Sequence, residues 1–225
     1  MKRFLFLIVF CSTGHGVHAE LSCNGDVTAV SAYYWRGIKQ SRGPALQSTA
    51  ALNYSSFTVG LWCSSLDAEE EGTVETDPFV EMVFFDGPAC GTLGANLYSY
   101  DLFRSFNATA RYELELYTRI EAGAFQITGY LLPLQASTKN QLLRTLYWLE
   151  TSLRLCKGTW GMSMLLAHGT YTSLSLDPPS REPVSLILWT AEKTILPPLK
   201  VFWHYQQGLD KRLENYFFFG LSFAF

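Results

Sequence analysis

The sequence is poor in charged residues, which narrows the classes of protein to which it can belong. Charged side chains make up 16% of the chain, against about 25% in ordinary soluble domains. The net charge is −3 and the isoelectric point is about 5.8, so the chain lacks the basic surface that nucleic acid requires. After residue 11, no segment approaches the run of about 20 apolar residues that a membrane-spanning helix needs. We therefore expect neither a nucleic-acid-binding protein nor a helical membrane protein.

Histidine and cysteine are too sparse for the usual metal and catalytic centres. Beyond the N-terminal segment the only histidines are His168 and His204, and Ser163 is the candidate nucleophile near the first of them. Four cysteines remain there, none of them in a Cys-x-x-Cys pair: Cys23, Cys63, Cys90 and Cys156. A zinc site of ordinary spacing is not expected, no cofactor is predicted, and three fully paired disulfide patterns stay open. The chain also has no Gly-x-Ser-x-Gly elbow, so we predict that it is not an enzyme.

What the chain has instead is an abundance of aromatic residues in alternating patterns. Aromatic residues reach 15%, yet the mean hydropathy is only +0.07. Strands whose side chains alternate between lipid and a wet interior reconcile these values, because the alternation dilutes the hydrophobicity of every segment. Residues 216–225 show the pattern most clearly, with five apolar residues on one face: Phe217, Phe219, Leu221, Phe223 and Phe225.

An exposed edge strand as apolar as residues 216–225 favours aggregation in water. Closure of a barrel within lipid removes the edge and gives the apolar face a suitable solvent. The stretch also resembles the terminal signal of bacterial outer-membrane barrels, whose last residue is typically phenylalanine. This resemblance implies that the barrel-assembly machinery is a partner, through the strand that ends at Phe225. The competing interpretation is a buried strand in a soluble sandwich.

Residues 1–19 have the features of an export signal. Lys2 and Arg3 precede an apolar run over residues 4–11, and Val17-His18-Ala19 fits a signal-peptidase site. The run is too short to span a bilayer, and Phe10 stands before Cys11 where lipid attachment requires a small residue. We predict cleavage before Glu20, with residues 20–225 forming one domain in the outer membrane of a Gram-negative bacterium.

Period-two patterns and turn residues predict an all-β fold, an up-and-down antiparallel transmembrane barrel of about twelve strands. The strands are predicted near residues 26–37, 45–54, 57–66, 78–86, 92–99, 108–118, 122–132, 143–156, 159–169, 184–193, 199–207 and 215–225. Short connections marked by glycine, serine or proline are predicted at 54–57, 86–91, 119–122, 156–159 and 195–198. Longer, more polar connections alternate with them, notably at 67–77, 133–141 and 170–183. Outer-membrane barrels alternate short periplasmic turns and longer extracellular loops in this way, which places both termini in the periplasm.

Several predicted strands oppose an apolar face to a charged face, as the wall of a water-filled barrel requires. In residues 108–118, Tyr112, Leu114 and Leu116 share the lipid face, while the acidic residues and Arg111 share the other. The predicted pore-lining residues are Arg36, Glu81, Arg111, Glu113, Glu115, Glu150, Arg154 and His204. The competing interpretation is a soluble antiparallel sheet whose charges face solvent.

The first hairpin region carries a more specific pattern. Tyr33-Tyr34-Trp35-Arg36-Gly37 is followed by Gln40-Ser41, Pro44-Ala45-Leu46-Gln47 and Gly60-Leu61-Trp62. These residues resemble the opening of the TorF-type porin family of Gram-negative bacteria, in which an aromatic-x-aromatic-Arg-Gly segment ends a strand. The resemblance covers residues 30–66 and implies an exported outer-membrane barrel. The chain departs from that family at two places: Glu81 stands alone where the family usually has an acidic pair, and Cys63 replaces a small residue.

Arg36 is the most informative single residue of this region. Alternation places Arg36 on the inward face and Gly37 at a turn, and a charge that faced the bilayer midplane would cost about 2–4 kcal/mol. We therefore predict that Arg36 pairs with a carboxylate inside the barrel, with Glu81 and Glu113 as the candidates.

The leading functional hypothesis is a porin through whose narrow lumen of mixed charge small solutes diffuse passively. A barrel of about twelve strands lies between filled barrels of about 8 strands and open porins of about 16–18. The alternative is a non-conducting structural or binding barrel whose extracellular loops contact a partner, with the acidic run 67–71 and the proline-rich run 176–183 as exposed loops. Outer-membrane lipid and small solutes are the predicted partners, and nucleic acid and metal are not.

Overall fold

The computed structural model of the protein describes residues 20–41, 43–65, 74–99, 112–135, 143–173, 180–209, 213 and 215–225. Within these ranges the chain forms the following strands: β1 (Leu21–Val30), β2 (Tyr34–Trp35), β3 (Ile38–Lys39), β4 (Ala45–Tyr54), β5 (Phe57–Ser65), β6 (Val74–Asp86), β7 (Cys90–Ser99), β8 (Tyr112–Ala122), β9 (Phe125–Gln135), β10 (Leu143–Lys157), β11 (Trp160–Ser173), β12 (Ser180–Leu196), β13 (Leu199–Gly208) and β14 (Tyr216–Ala224). No helix in the described ranges is long and apolar enough to cross a membrane. The predicted signal segment 1–19 lies outside the described residues.

Twelve of the strands form a closed antiparallel barrel in which sequence neighbours pair, from β4 round to β14. The ring closes where β1 pairs with β14, from Asp26 opposite Ala224 to Val30 opposite Gly220. Phe225 completes this seam, because its backbone exchanges hydrogen bonds of 2.9 and 3.0 Å with Gly25. The predicted fold class and strand number are confirmed, and no unpaired sheet edge remains in this ring.

The first strand differs most from its prediction. The alternating pattern suggested one strand over 26–37, but β1 ends at Val30 and a separate two-stranded sheet, β2 and β3, follows. Alternation continues across both segments, because β2 is itself extended. A period of two marks extended backbone and does not say which strand is its neighbour. The prediction was therefore wrong about where the chain leaves the wall.

The alternation of short and long connections is confirmed, with one error among the short turns. Residues 119–122 were predicted to be a turn, but they lie in β8, and the chain turns at Gly123 and Ala124 instead. Gly123 has a positive φ of 58°, which glycine adopts without strain. Several strands also extend farther toward the long-connection end than predicted, since β11 continues to Ser173 and β12 begins at Ser180. Residues 180–183 of the predicted proline-rich loop thus belong to β12, and the acidic run 67–71 lies outside the described residues.

The outer surface of the barrel is apolar, as the alternation predicted. In β14, Phe217, Phe219, Leu221 and Phe223 are exposed, and Phe225 beyond it is 70% exposed. The described part of β10 behaves likewise, with Leu149, Leu153 and Leu155 exposed and Trp148 buried inside. Such a surface is stable in hydrocarbon and not in water, which is the pattern of barrels that span membranes.

The four cysteines that the structure describes are free thiols. Cys23 lies in β1, Cys63 in β5, Cys90 in β7 and Cys156 in β10, and no two of these strands are neighbours in the ring. Each thiol therefore lies on a different part of the wall. None of the three possible disulfide patterns of these four cysteines is present.

Inward-facing glycines make room for large inward side chains on neighbouring strands. A Cβ at Gly94 would overlap the ring of Tyr117, and one at Gly169 would overlap the ring of Trp148. Glycine is thus required at these positions by close approach across the sheet, a device that lets a bulky ring lie flat against the wall.

We expect Gly94→Ala to lower the free energy of unfolding by about 1–3 kcal/mol, the usual cost of overpacking. The physical reason is that the Tyr117 ring must move from its place against β7. The matched control is Gly129→Ala, where a Cβ would meet no atom within 4 Å. Urea titration of the folded barrel in detergent measures both variants, and equal midpoints for them would contradict the prediction.

Candidate functional site

A tight hairpin lies between β1 and β4 and forms the centre of the candidate site. Tyr34 pairs with Lys39 and Trp35 pairs with Ile38, and the two turn residues, Arg36 and Gly37, have positive φ angles of 49° and 86°. Two positive φ angles in a two-residue loop define a type I′ turn, whose twist matches that of the paired strands. We call residues 31–41 and 43–44 the inward hairpin.

Side chains at the base of the inward hairpin hold its two arms together. The Tyr33 N–H donates to the Ser41 hydroxyl over 2.8 Å, and that hydroxyl donates to the Gly43 carbonyl over 2.8 Å. The Gln40 N–H donates to the Tyr33 carbonyl over 2.8 Å. The hairpin is therefore a compact unit with its own hydrogen bonds, rather than an extension of the wall.

The contacts of the hairpin show that it crosses the lumen. On one side, the Trp35 ring packs on Tyr98 of β7, with ring centroids 5.7 Å apart. On the other side, the Tyr34 ring stacks on Tyr216 of β14 at 3.4 Å. A Cβ at Gly37 would touch Gln206 of β13 and Leu186 of β12, both at 3.0 Å. Since β7 and β12 to β14 lie on different sides of the ring, the hairpin spans the space between them.

Arg36 at the tip of the hairpin is held in an aromatic and acidic site. Its Nη2 lies 2.7 Å from Oε2 of Glu115, and the two side chains are 5% and 0% exposed. The guanidinium carbon lies 4.6 Å from the Trp35 ring centroid and 4.5 Å from that of Tyr130. Trp148 is a third ring, at 5.6 Å. Cation–π contacts of this kind add to an ion pair when both are desolvated.

The inward direction predicted for Arg36 thus agrees with the structure, but its expected partner needs correction. The carboxylate 2.7 Å from Arg36 is that of Glu115, which was predicted to line the pore and not to pair with Arg36. Glu81 lies with Arg119 instead, 3.2 Å away, and accepts a hydrogen bond of 2.5 Å from Tyr117. Glu113, the other expected partner, is buried on the inner face of β8.

The remaining predicted pore-lining residues that the structure describes also face inward. Glu150 accepts hydrogen bonds from Trp148 Nε1 over 2.9 Å and from the Tyr130 hydroxyl over 3.1 Å. Arg154 pairs with Glu192. His204 Nδ1 lies 2.9 Å from the Thr190 hydroxyl, and its ring stacks on Phe218 at 4.5 Å. Arg111 lies outside the described residues.

Sequence reasoning missed several residues of this lining. Arg119 was missed because residues 119–122 were assigned to a turn. Glu192 was missed although it lies within the predicted strand 184–193. Asp77 was assigned to a loop, although it is buried in β6 and accepts a 3.1 Å hydrogen bond from the Ser99 N–H. For Arg119 and Asp77, the signal was the same two-residue alternation, continued past the predicted strand end.

The described residues line two cavities inside the barrel that bear on function. The larger, of about 630 Å³, opens among the short turns and is lined by mixed charges, including Glu121, Arg154 and Glu192. We call it the vestibule. The smaller, of about 450 Å³, lies against the hairpin and is lined mostly by aromatic rings, and we call it the aromatic chamber. His204 lines both cavities, so they adjoin at this side chain.

A serine and histidine pair lies on the outer surface of the barrel. His168 Nδ1 is 2.8 Å from the Ser185 hydroxyl, and His168 is exposed while Ala167 beside it is buried. Ser163, the candidate nucleophile named from the sequence, lines the vestibule. Ser163 and His168 therefore lie on opposite faces of β11, so they cannot form a catalytic pair.

The sequence family is decided by a match over most of the chain. The family model described as "Bacterial protein of unknown function (Gcw_chp)" matches residues 15–175. The chain belongs to the Gcw_chp family. The match includes the inward hairpin and the strands that hold Arg36, so these features lie within the part of the chain that defines Gcw_chp membership. Among curated proteins, no sequence matches the chain.

Solved structures resemble this Gcw_chp protein in fold. One comes from work described as "Unveiling the Mechanism Behind the in-meso Crystallization of Membrane Proteins", with 12% identity, 92% of this chain and 83% of that chain covered, and a TM-score of 0.55. Outer membrane phospholipase A from Escherichia coli has 12% identity over 92% of this chain and 98% of its own, with a TM-score of 0.46. The COG4313 outer membrane channel from Pseudomonas putida F1 has 13% identity over 94% and 96%, with a TM-score of 0.45. At such identities the likeness concerns the fold alone.

Proposed function

We propose that this protein is a channel of the TorF porin type in the outer membrane of a Gram-negative bacterium, through which small solutes diffuse passively. The observation that carries the proposal is the pair of adjoining cavities, of about 630 and 450 Å³, along the inside of a closed barrel. A wall that is apolar outside and charged inside supports it. Residues 1–19 would direct export, and the strand ending at Phe225 would engage the barrel-assembly machinery.

The lumen predicts weak charge selectivity. Positive and negative side chains line it together, as in the pairs Arg119 with Glu81 and Arg154 with Glu192. A ring of one sign favours the opposite ion, whereas mixed signs largely cancel. The inward hairpin would be the narrowest point, because it is the segment that crosses from β7 to β14.

Planar-bilayer recording tests the proposal. We expect the purified, folded barrel to give discrete conductance steps in potassium chloride, smaller than those of porins with about 16–18 strands, with a reversal potential near zero in a salt gradient. Folding is checked separately by the heat-dependent shift of barrels in gel electrophoresis. Folded, inserted protein that gives no steps above background would overturn the channel.

The second candidate is a non-conducting structural or binding barrel. It is favoured by the tight filling of the lumen at the hairpin, where Arg36, Glu115 and Trp148 are almost fully buried. The bilayer recording decides between the two candidates, because only a channel gives conductance. Neither the channel nor the binding barrel is proposed to be an enzyme, since Ser163 and His168 lie on opposite faces of β11.

A further inference from the structure

The aromatic chamber has the composition of a binding site rather than of a plain water path. Its rings come from the hairpin and from five strands of the wall, and six of them are Tyr34, Trp35, Trp62, Phe79, Phe202 and Phe218. Its volume of about 450 Å³ falls in the range of about 300–1,000 Å³ that small-molecule sites occupy. Gln47 and Asn96 add two amide groups to the lining.

The electrostatics of the chamber favour a cation. Asp77 contributes a buried carboxylate to the lining, and no lysine or arginine is among the chamber residues that the structure describes. The faces of aromatic rings carry negative partial charge and attract alkylated ammonium groups. An anion would meet both the ring faces and a carboxylate, with no positive lining group to offset them.

Arg36 shows how this barrel already binds an organic cation. Its guanidinium lies on the Trp35 and Tyr130 rings and pairs with the carboxylate of Glu115 at 2.7 Å. The chamber, which Trp35 also lines, repeats the same combination of ring faces and one carboxylate, here Asp77. The Arg36 site holds a cation from the chain itself, whereas the chamber is a cavity.

We infer that the aromatic chamber binds a small organic cation that carries an alkylated ammonium group. Such a ligand would place the ammonium group near Asp77 and its alkyl groups against the rings. The inference adds a class of solute to the proposed function. It rests on that function because the solute enters through the proposed channel. A solute from the short-turn end would cross the vestibule and pass His204 to reach the chamber.

Choline and its uncharged carbon analogue, 3,3-dimethyl-1-butanol, form a matched pair of probes. Isothermal titration of the full-length folded barrel in detergent is expected to show saturable choline binding. The alcohol has the same shape without the charge, so we expect it to bind about tenfold more weakly, the loss of a desolvated cation–π and carboxylate contact. Equal affinities for the two compounds, or no saturable choline binding, would overturn the inference.

A variant at the carboxylate makes the test specific to the chamber. Asp77→Asn keeps an oxygen that can accept the Ser99 N–H and removes the charge, so choline binding should weaken about tenfold and binding of the alcohol should not change. The control is Asp86→Asn at the other end of β6, an exposed carboxylate, which should leave both affinities unchanged. An unchanged choline affinity in folded Asp77→Asn would also overturn the inference.

The two proposals fail separately in these experiments. Titration in detergent requires no conductance, so choline binding by a barrel that gives no current would overturn the channel and leave the binding site. Conductance without choline binding would overturn the binding site and leave the channel.

Discussion

Removal of the inward hairpin is expected to raise the single-channel conductance several-fold. Val30 and Ala45 are paired across β1 and β4, so a short Gly-Ser link can replace residues 31–44 without stretching either strand. The deletion removes the segment that contacts β7, β8, β12 and β14 together. Planar-bilayer recording of the deletion variant beside the native protein measures the change.

The control for the deletion keeps the hairpin and changes only its charge. Lys39 is exposed on the second arm, so Lys39→Gln should leave the conductance close to that of the native protein. If the folded deletion variant and the native protein gave steps of the same size, the hairpin would not be the constriction of this barrel.

Glu115→Gln is expected to release the hairpin from its place in the lumen. The change removes the carboxylate charge that lies 2.7 Å from the buried Arg36 guanidinium, and removing one member of a buried ion pair costs about 3–5 kcal/mol. Since each 1.4 kcal/mol is about tenfold in an equilibrium constant, the fraction of molecules with an undocked hairpin should rise by about a hundredfold or more. Trypsin cleavage after Lys39, followed by mass spectrometry of the barrel in detergent, reports this fraction.

Two further variants separate the ion pair from a general loosening of the barrel. Arg36→Met combined with Glu115→Leu removes both charges, so neither remains buried alone, and cleavage after Lys39 should fall well below that of Glu115→Gln. Glu121→Gln changes a more exposed carboxylate on the same strand, 3.9 Å from Arg119, and should leave cleavage unchanged. Native-like cleavage in Glu115→Gln would show that the pair does not hold the hairpin.

Much of the barrel could be predicted because its evidence is local. The outward rows of β8, β10 and β14 follow from alternation within each strand, and so do the inward positions of Glu115, Glu150 and Arg154. The pattern placed most short turns correctly. It failed at residues 119–122, where a charged stretch of β8 was taken for a turn. Asp77 was missed for a related reason, since the strand was expected to begin one residue later.

The partners across the lumen could not be predicted in the same way. Arg36 and Glu115 are distant in sequence and meet only because the hairpin tip reaches β8. Glu81 was expected near Arg36, yet the pairing of β6 with β7 and of β7 with β8 brings it to Arg119 and Tyr117 instead. Which carboxylate meets which cation depends on strand order and register together, and neither is a property of one segment.

The sequence by itself determined that the chain forms about twelve wall strands with an apolar outer face and a charged inner face. The reason is that the face of a side chain depends only on its place in the two-residue repeat of extended backbone. Only the tertiary structure decided that the inward hairpin leaves the wall and crosses the lumen. Tyr34 and Trp35 alternate in the same way whether the neighbouring strand belongs to the barrel or to a hairpin. The hairpin forms because the ring closes without these residues and leaves space for them inside.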